Sequence, residues 1–157
     1  MKIQLWSVGK ADEPYAAAGI EAFTKRLGKY FPAQWHLIAP PKNAASLGTN
    51  ELKKAEGMLI LQQLQKDDYL VLLDERGKQF SSPELAEFIQ QRANESTRRI
   101  VFLIGGAFGV DDAVAARADT KWSLSKLVFP HMLVRLILAE QLYRACTILK
   151  NEKYHHM

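Results

Sequence analysis

The sequence predicts an α/β fold, a mostly parallel sheet with helices on both faces, and three observations carry that prediction. Strand-like and helical patterns alternate along the chain. The strand-like runs are apolar with little interruption, as strands covered on both faces must be. Three of them are followed by loops that this topology opens on one edge of the sheet, beyond the strand carboxyl ends, where such folds take their ligands.

The elements follow in order. Residues 2–8 read as the first strand and 14–29 as the first helix; 34–39 form the second strand and 50–65 the second helix. Between these last two lies "PPKNAASLGTN", residues 40–50, rich in turn formers; it suits either a substrate lid or a passive connector. The third strand is expected at 69–74. A helix follows at 83–94, announced by Ser81-Ser82-Pro83-Glu84, which offers a capping box or Ser82 as cap with Pro83 in the first turn. Residues 99–104 and 121–125 complete the strands, with a short helix at 111–118 between them. The last helix, 133–149, is apolar on nearly every side, so both of its faces need cover. The sheet supplies one; the other requires the rest of the fold or a second subunit, most commonly through a two-fold dimer.

Composition narrows the class. The length of 157 residues and 48% hydrophobic content suit one domain, 1–157, with a proper core. The most apolar stretch, 132–149, carries Arg135, Glu140 and Arg144, which argues against a membrane span and for a soluble, cytoplasmic protein. One cysteine, Cys146, excludes a disulfide framework or a Cys-based zinc site and reads as a buried thiol; no metal is expected. The formal charge is +4, and residues 117–157 hold seven Lys/Arg against three Asp/Glu, with His131, His155 and His156 among them. This basic end suits phosphate or RNA contact, or an ordinary solvated surface; Lys126, Arg135, Lys150 and Lys153 are the candidate phosphate contacts.

The three converging loops are "LLDERGK" (72–78), "LIGGAFG" (103–109) and "SLSKLVFPH" (123–131). The first strand ends Val8-Gly9-Lys10 without GxGxxG, and no Walker motif occurs, which disfavours a nucleotide-dependent oxidoreductase or a phosphate cradle. Gly105 and Gly106 mark either a tight turn or a close approach of a ligand to bare main chain. Residues 124–129 form an apolar connector, where exposed leucines would be a liability unless they pack on the last helix. Glu140 and Arg144 stand one turn apart in the orientation of a helix ion pair. His131, following Pro130, reads as a residue that caps or packs at the helix entry.

Taken jointly, "LLDERGK", "FLIGGAFG", "WSLSKLVFPHMLVRLILAEQLYRA" and the terminal "YHH" resemble the RlmH family, SPOUT-class methyltransferases, over essentially the whole chain from "MKIQLWSVGK" to Tyr154-His155. His156 and Met157 stand where a basic residue commonly follows the Tyr-His pair. The resemblance implies a C-terminal trefoil knot, a rare exception to unknotted topology. It implies S-adenosyl-L-methionine as methyl donor, bound at Leu73, Gly105, Leu124, Ser125, Lys126, Leu127, Val128 and Phe129. It implies a homodimer that completes the active site, with His131, Glu140, Arg144, Tyr154 and His155 as the catalytic candidates. The implied reaction is methylation of N3 of a pseudouridine in helix 69 of 23S ribosomal RNA, within the assembled ribosome; a catalytically silent RNA- or ribosome-binding dimer is the competing reading.

Overall fold

A computed structural model describes residues 1–9 and 13–156; Lys10 of the opening motif and Met157 lie outside them. The order is β1 (Lys2–Val8), α1 (Pro14–Leu27), β2 (Ala33–Ile38), α2 (Thr49–Gln63), β3 (Tyr69–Gln79), α3 (Ser82–Asn94), β4 (Arg99–Ile104), α4 (Asp112–Arg117), β5 (Thr120–Ser123) and α5 (His131–Leu149). The five strands pair in the order β2-β1-β4-β3-β5, and every pairing is parallel.

Continuous apolar strands place side chains on both faces, so two cores form. Ile100, Phe102 and Ile104 of β4 join Leu27 of α1, Leu85 and Ile89 of α3, and Leu138 and Leu142 of α5. Val101 and Leu103 face the other way, with Ile60 of α2 and Val114 of α4. The period-two alternation within a single strand therefore assigns α1, α3 and α5 to one side and α2 and α4 to the other. Helix α5 packs against α1 and α3 as well as the sheet, which covers much of its apolar circumference. Cys146 is 2% exposed, and burial pushes its thiol up to about 12, so it is an inert core residue.

Local signals set several boundaries. Ser81 Oγ accepts the Glu84 backbone N–H at 3.2 Å while the Glu84 carboxylate accepts the Ser81 N–H at 2.9 Å, completing the capping box at the first of the two expected serines. Residues 40–50 contain a single short 3₁₀ turn, Ala44–Ser46, before α2 begins. No described helix is long and apolar enough to cross a membrane.

One boundary departs from the expectation. The third strand runs to Gln79 rather than ending at 74, because Leu73 and Lys78 both pair with Trp122 and the residues between them bulge out of the ladder. Gly77 lets the bulge close on β5: a Cβ there would lie 2.6 to 2.7 Å from the Lys121 carbonyl group and the Trp122 nitrogen. Those are backbone atoms and cannot swing aside. Gly77→Ala is expected to lower stability by about 1–3 kcal/mol, read as a fall in the urea midpoint; an unchanged midpoint would show that the bulge absorbs a methyl group.

Candidate active site

The bulged middle of β3 and the C-terminal ends of β4 and β5 border a cleft of about 720 Å³. The bulge within β3 and the loops after β4 and β5 form its walls, and seven of the eight residues expected to hold the donor line it: Leu73, Gly105, Leu124, Ser125, Leu127, Val128 and Phe129. Lys126, the eighth, is exposed and does not contribute to the lining.

The Gly-Gly segment is a compact turn. The Gly109 N–H donates to the Gly106 carbonyl at 3.1 Å, and Gly109 has φ +85°, in the left-handed region that favours glycine. A Cβ on Gly105 would meet Val110 Cγ1 at 2.8 Å, and one on Gly106 would meet the Glu56 carboxylate at 2.7 Å. Of the two readings left open by the sequence, the tight turn is the one these contacts account for. The same two residues face the cleft, so bare main chain also forms part of its wall.

The 124–129 connector divides between the two roles open to it. Leu124 packs on the core beside α5, whereas Leu127 and Val128 are 70% and 81% exposed at the cleft. Ser125 Oγ accepts the Leu127 N–H at 3.0 Å and the Ser125 carbonyl accepts the Ser123 hydroxyl at 2.9 Å, so serines fix the loop that presents these apolar side chains. Apolar surface held open around bare main chain suits the flat, largely apolar faces of a nucleobase.

His131 is the first residue of α5, half-buried, and lines the same cleft. It does not cap the helix: Pro130 occupies the cap position and no side chain bonds the free amides there. Burial, then the nearby Arg135 charge, lowers its pKa, which favours the neutral imidazole. Arg135, a candidate phosphate contact from sequence, is instead 2% exposed, donating to Ser7 Oγ of β1 at 2.9 Å. Only tertiary structure reveals that partner, 128 positions away.

The other four catalytic candidates meet at the far end of α5. Arg144 donates to Glu140 Oε1 through Nε at 2.9 Å and also through Nη2, and its Nη1 approaches His155 Nδ1 at 3.2 Å. The Tyr154 hydroxyl donates to the same Glu140 oxygen at 3.0 Å, and the guanidinium lies 4.7 Å from the Tyr154 ring centroid. Burial and the Glu140 hydrogen bond raise the Tyr154 pKa, keeping its hydroxyl a donor. The tail is also held in place nearer its start, where Tyr30, just beyond α1, donates to Glu152 at 2.6 Å.

The five candidates therefore do not form one cluster within a protomer. At about 1.5 Å per residue, His131 and Arg144 stand about 20 Å apart along α5. Sequence reasoning also passed over the charged residues Lys53, Asp74, Glu75, Arg76 and Asp112, which line the cleft. The "DER" following an apolar strand end was the available signal for three of them. A second groove, about 550 Å³ between α1 and β2 and lined by Ile20, Trp35 and Leu37, holds none of the expected catalytic or donor-binding residues, although Arg135 borders it.

Known proteins share this organisation. The family described as predicted SPOUT methyltransferase matches residues 1–155. The chain is 49% identical over 156 residues to ribosomal RNA large subunit methyltransferase H of Cytophaga hutchinsonii, covering 99% of this chain and 100% of that protein. It is 47% identical to the protein of the same name from Christiangramia forsetii, covering 99% of each. Among solved structures, a probable methyltransferase from Bordetella pertussis superposes with a TM-score of 0.57 at 13% identity, covering 92% of this chain and 96% of that one. A probable methylase family protein from Haemophilus influenzae gives 0.55 at 10%, covering 95% of this chain and 66% of that one. The structural likenesses support the fold alone.

His131 gives a pH test. Its folded pKa lies below an unfolded value of about 6.5, so the unfolded chain binds more protons in the interval between them. The stability linked to this residue is complete above the unfolded value and is lost as pH falls toward the folded one. His131→Asn is expected to flatten the decline in urea midpoint between about pH 7 and 5; identical slopes in the two proteins would contradict the burial argument.

Proposed function

This chain belongs to the SPOUT methyltransferase family, and from that premise we propose that it methylates N3 of a pseudouridine in helix 69 of 23S ribosomal RNA. S-adenosyl-L-methionine is the proposed donor. The observation that carries the reading is the single cleft that gathers Leu73, Gly105, five residues of the 124–129 connector and His131 from separate parts of the chain. The donor set fits its nucleoside: apolar side chains at Leu124, Leu127 and Val128 suit the adenine faces, and main chain at Gly105 offers polar groups to its edge. A catalytically silent binding module would have no use for such a slot.

When bound, the donor supplies an electrophilic methyl group on a sulfonium. The protein's part is to hold the acceptor in line and to take its imide proton. Among the catalytic candidates, Glu140 Oε1 is occupied by Arg144 and Tyr154, and His155 Nδ1 faces the Arg144 guanidinium. His131 has no hydrogen-bond partner among the described residues and favours the neutral state, so its imidazole is the proposed proton acceptor. Arg144, Tyr154 and His155 grip the target nucleotide, the aromatic ring offering a stacking face and the cation a charge.

The separation along α5 makes a second copy necessary in this account. A homodimer sets the tail cluster of one protomer against the cleft of the other, and a two-fold arrangement makes two such composite sites. The C-terminal segment is proposed to thread as a trefoil knot within one domain spanning 1–157. The exposed Lys126, Lys150 and Lys153 suit phosphate contact. Part of the recognition is proposed to come from the assembled ribosome, and the cytoplasm is the proposed location.

Labelled-methyl transfer to ribosomes lacking the modification tests both parts. Gly105→Val and Arg144→Ala are each expected to reduce transfer about 100-fold. Mixing the two inactive proteins under conditions of subunit exchange should restore about a quarter of wild-type activity, because half the dimers are mixed and each has one intact composite site. No recovery in demonstrably mixed dimers would place cleft and tail in the same protomer's site and refute the composite arrangement.

A further inference from the structure

The β3 bulge places a pair of opposite charges at the cleft, immediately beyond Leu73, and the methylation reading uses neither of them. Asp74 Oδ1 accepts the Arg76 backbone N–H at 2.9 Å and its Nε at 3.4 Å, while Oδ2 accepts Nη2 at 3.3 Å. The Asp74 side chain is 15% exposed and that of Arg76 86%. Burial alone would raise the Asp74 pKa, but the Arg76 N–H and guanidinium, with Lys121 beyond, hold it below the usual carboxylate value. This aspartate is therefore ionised at neutral pH. Both side chains line the cleft.

The pair retains bonding capacity. Arg76 reaches Asp74 through Nε and Nη2, and no hydrogen bond engages Nη1 among the described residues. Asp74 Oδ2 accepts one hydrogen bond there and has a second lone pair. An anion and a cation fixed side by side by a backbone bulge are complementary to a zwitterion, whose ammonium meets the carboxylate and whose carboxylate meets the guanidinium. A nucleoside seated against Leu73 is one residue from this pair.

We propose that Asp74 and Arg76 form the subsite for the zwitterionic α-amino acid tail of the methyl donor, with Asp74 holding the ammonium and Arg76 the carboxylate. The assignment rests on the cleft being the donor site. Besides Glu75, which sits between the pair in the bulge, Lys53 of α2 and Asp112 of α4 also line the cleft and form no ion pair among the described residues. They lie on separate helices, however, and nothing holds them together as the bulge holds Asp74 and Arg76.

Two neutral probes isolate the tail: S-adenosylhomocysteine carries it, and methylthioadenosine has the same nucleoside and thioether without it. Calorimetry on the full-length protein should show Arg76→Ala weakening S-adenosylhomocysteine about tenfold and leaving methylthioadenosine within about twofold. Arg76→Lys should recover part of the loss, and Lys53→Ala should not reproduce the loss selective for S-adenosylhomocysteine. Equal weakening of both probes would mean that Arg76 serves only the bulge, and unchanged S-adenosylhomocysteine binding would remove it from the site; either result overturns the proposal. A loss confined to Lys53→Ala would move the tail to the opposite wall and overturn it too. Should the wild type bind methylthioadenosine as tightly as S-adenosylhomocysteine, the tail subsite fails while the nucleoside cleft stands; should it bind neither, both fail.

Discussion

The cleft depends on one constraint, the parallel pairing of β3 with β4 on one side and β5 on the other. Leu73 pairs with Ile104 across the first ladder and with Trp122 across the second. Strands about 4.8 Å apart therefore bring three remote chain segments to one edge within about 10 Å. A strand reversed at any of these positions would send its loop to the opposite end of the sheet. The site is thus a consequence of sheet direction before it is a consequence of any side chain.

Helix α5 adds the second constraint, rigidity along its length. His131 at its start belongs to the cleft, whereas Glu140 and Arg144 belong with the tail. A helix cannot fold its two ends together, and for that reason the proposed chemistry, which uses both, calls on a second molecule. The ion pair of Glu140 and Arg144 is partly exposed, with side chains 18% and 25% accessible. Its contribution to the monomer's stability is accordingly modest. Its value lies in orientation: one guanidinium simultaneously aligns a carboxylate, an aromatic ring and an imidazole.

The sequence was most legible where the information is local. Continuous apolar runs located the strands, and Ser81 with Glu84 marked the start of α3 through hydrogen bonds only three residues long. The family resemblance located the cleft residues with only Lys126 outside the lining. Long-range contacts were illegible. Nothing near Asp74–Gly77 in sequence announces that Trp122 will pair with both Leu73 and Lys78, so a bulge within one strand read as a loop after it. Arg135 read as surface because its Ser7 partner lies on β1. Gly106 read as a ligand contact or a turn because the Glu56 carboxylate that fills its missing side-chain space comes from α2.

The most direct test of the central claim, that the shared edge of β3, β4 and β5 receives the methyl donor, is a backbone amide shift map recorded by NMR while S-adenosyl-L-methionine is added. Perturbations are expected to concentrate at Leu73, at residues 105–109 and at 124–129, leaving the groove between α1 and β2 quiet. Perturbations centred on Ile20, Trp35 and Leu37, with the strand edge undisturbed, would contradict the account.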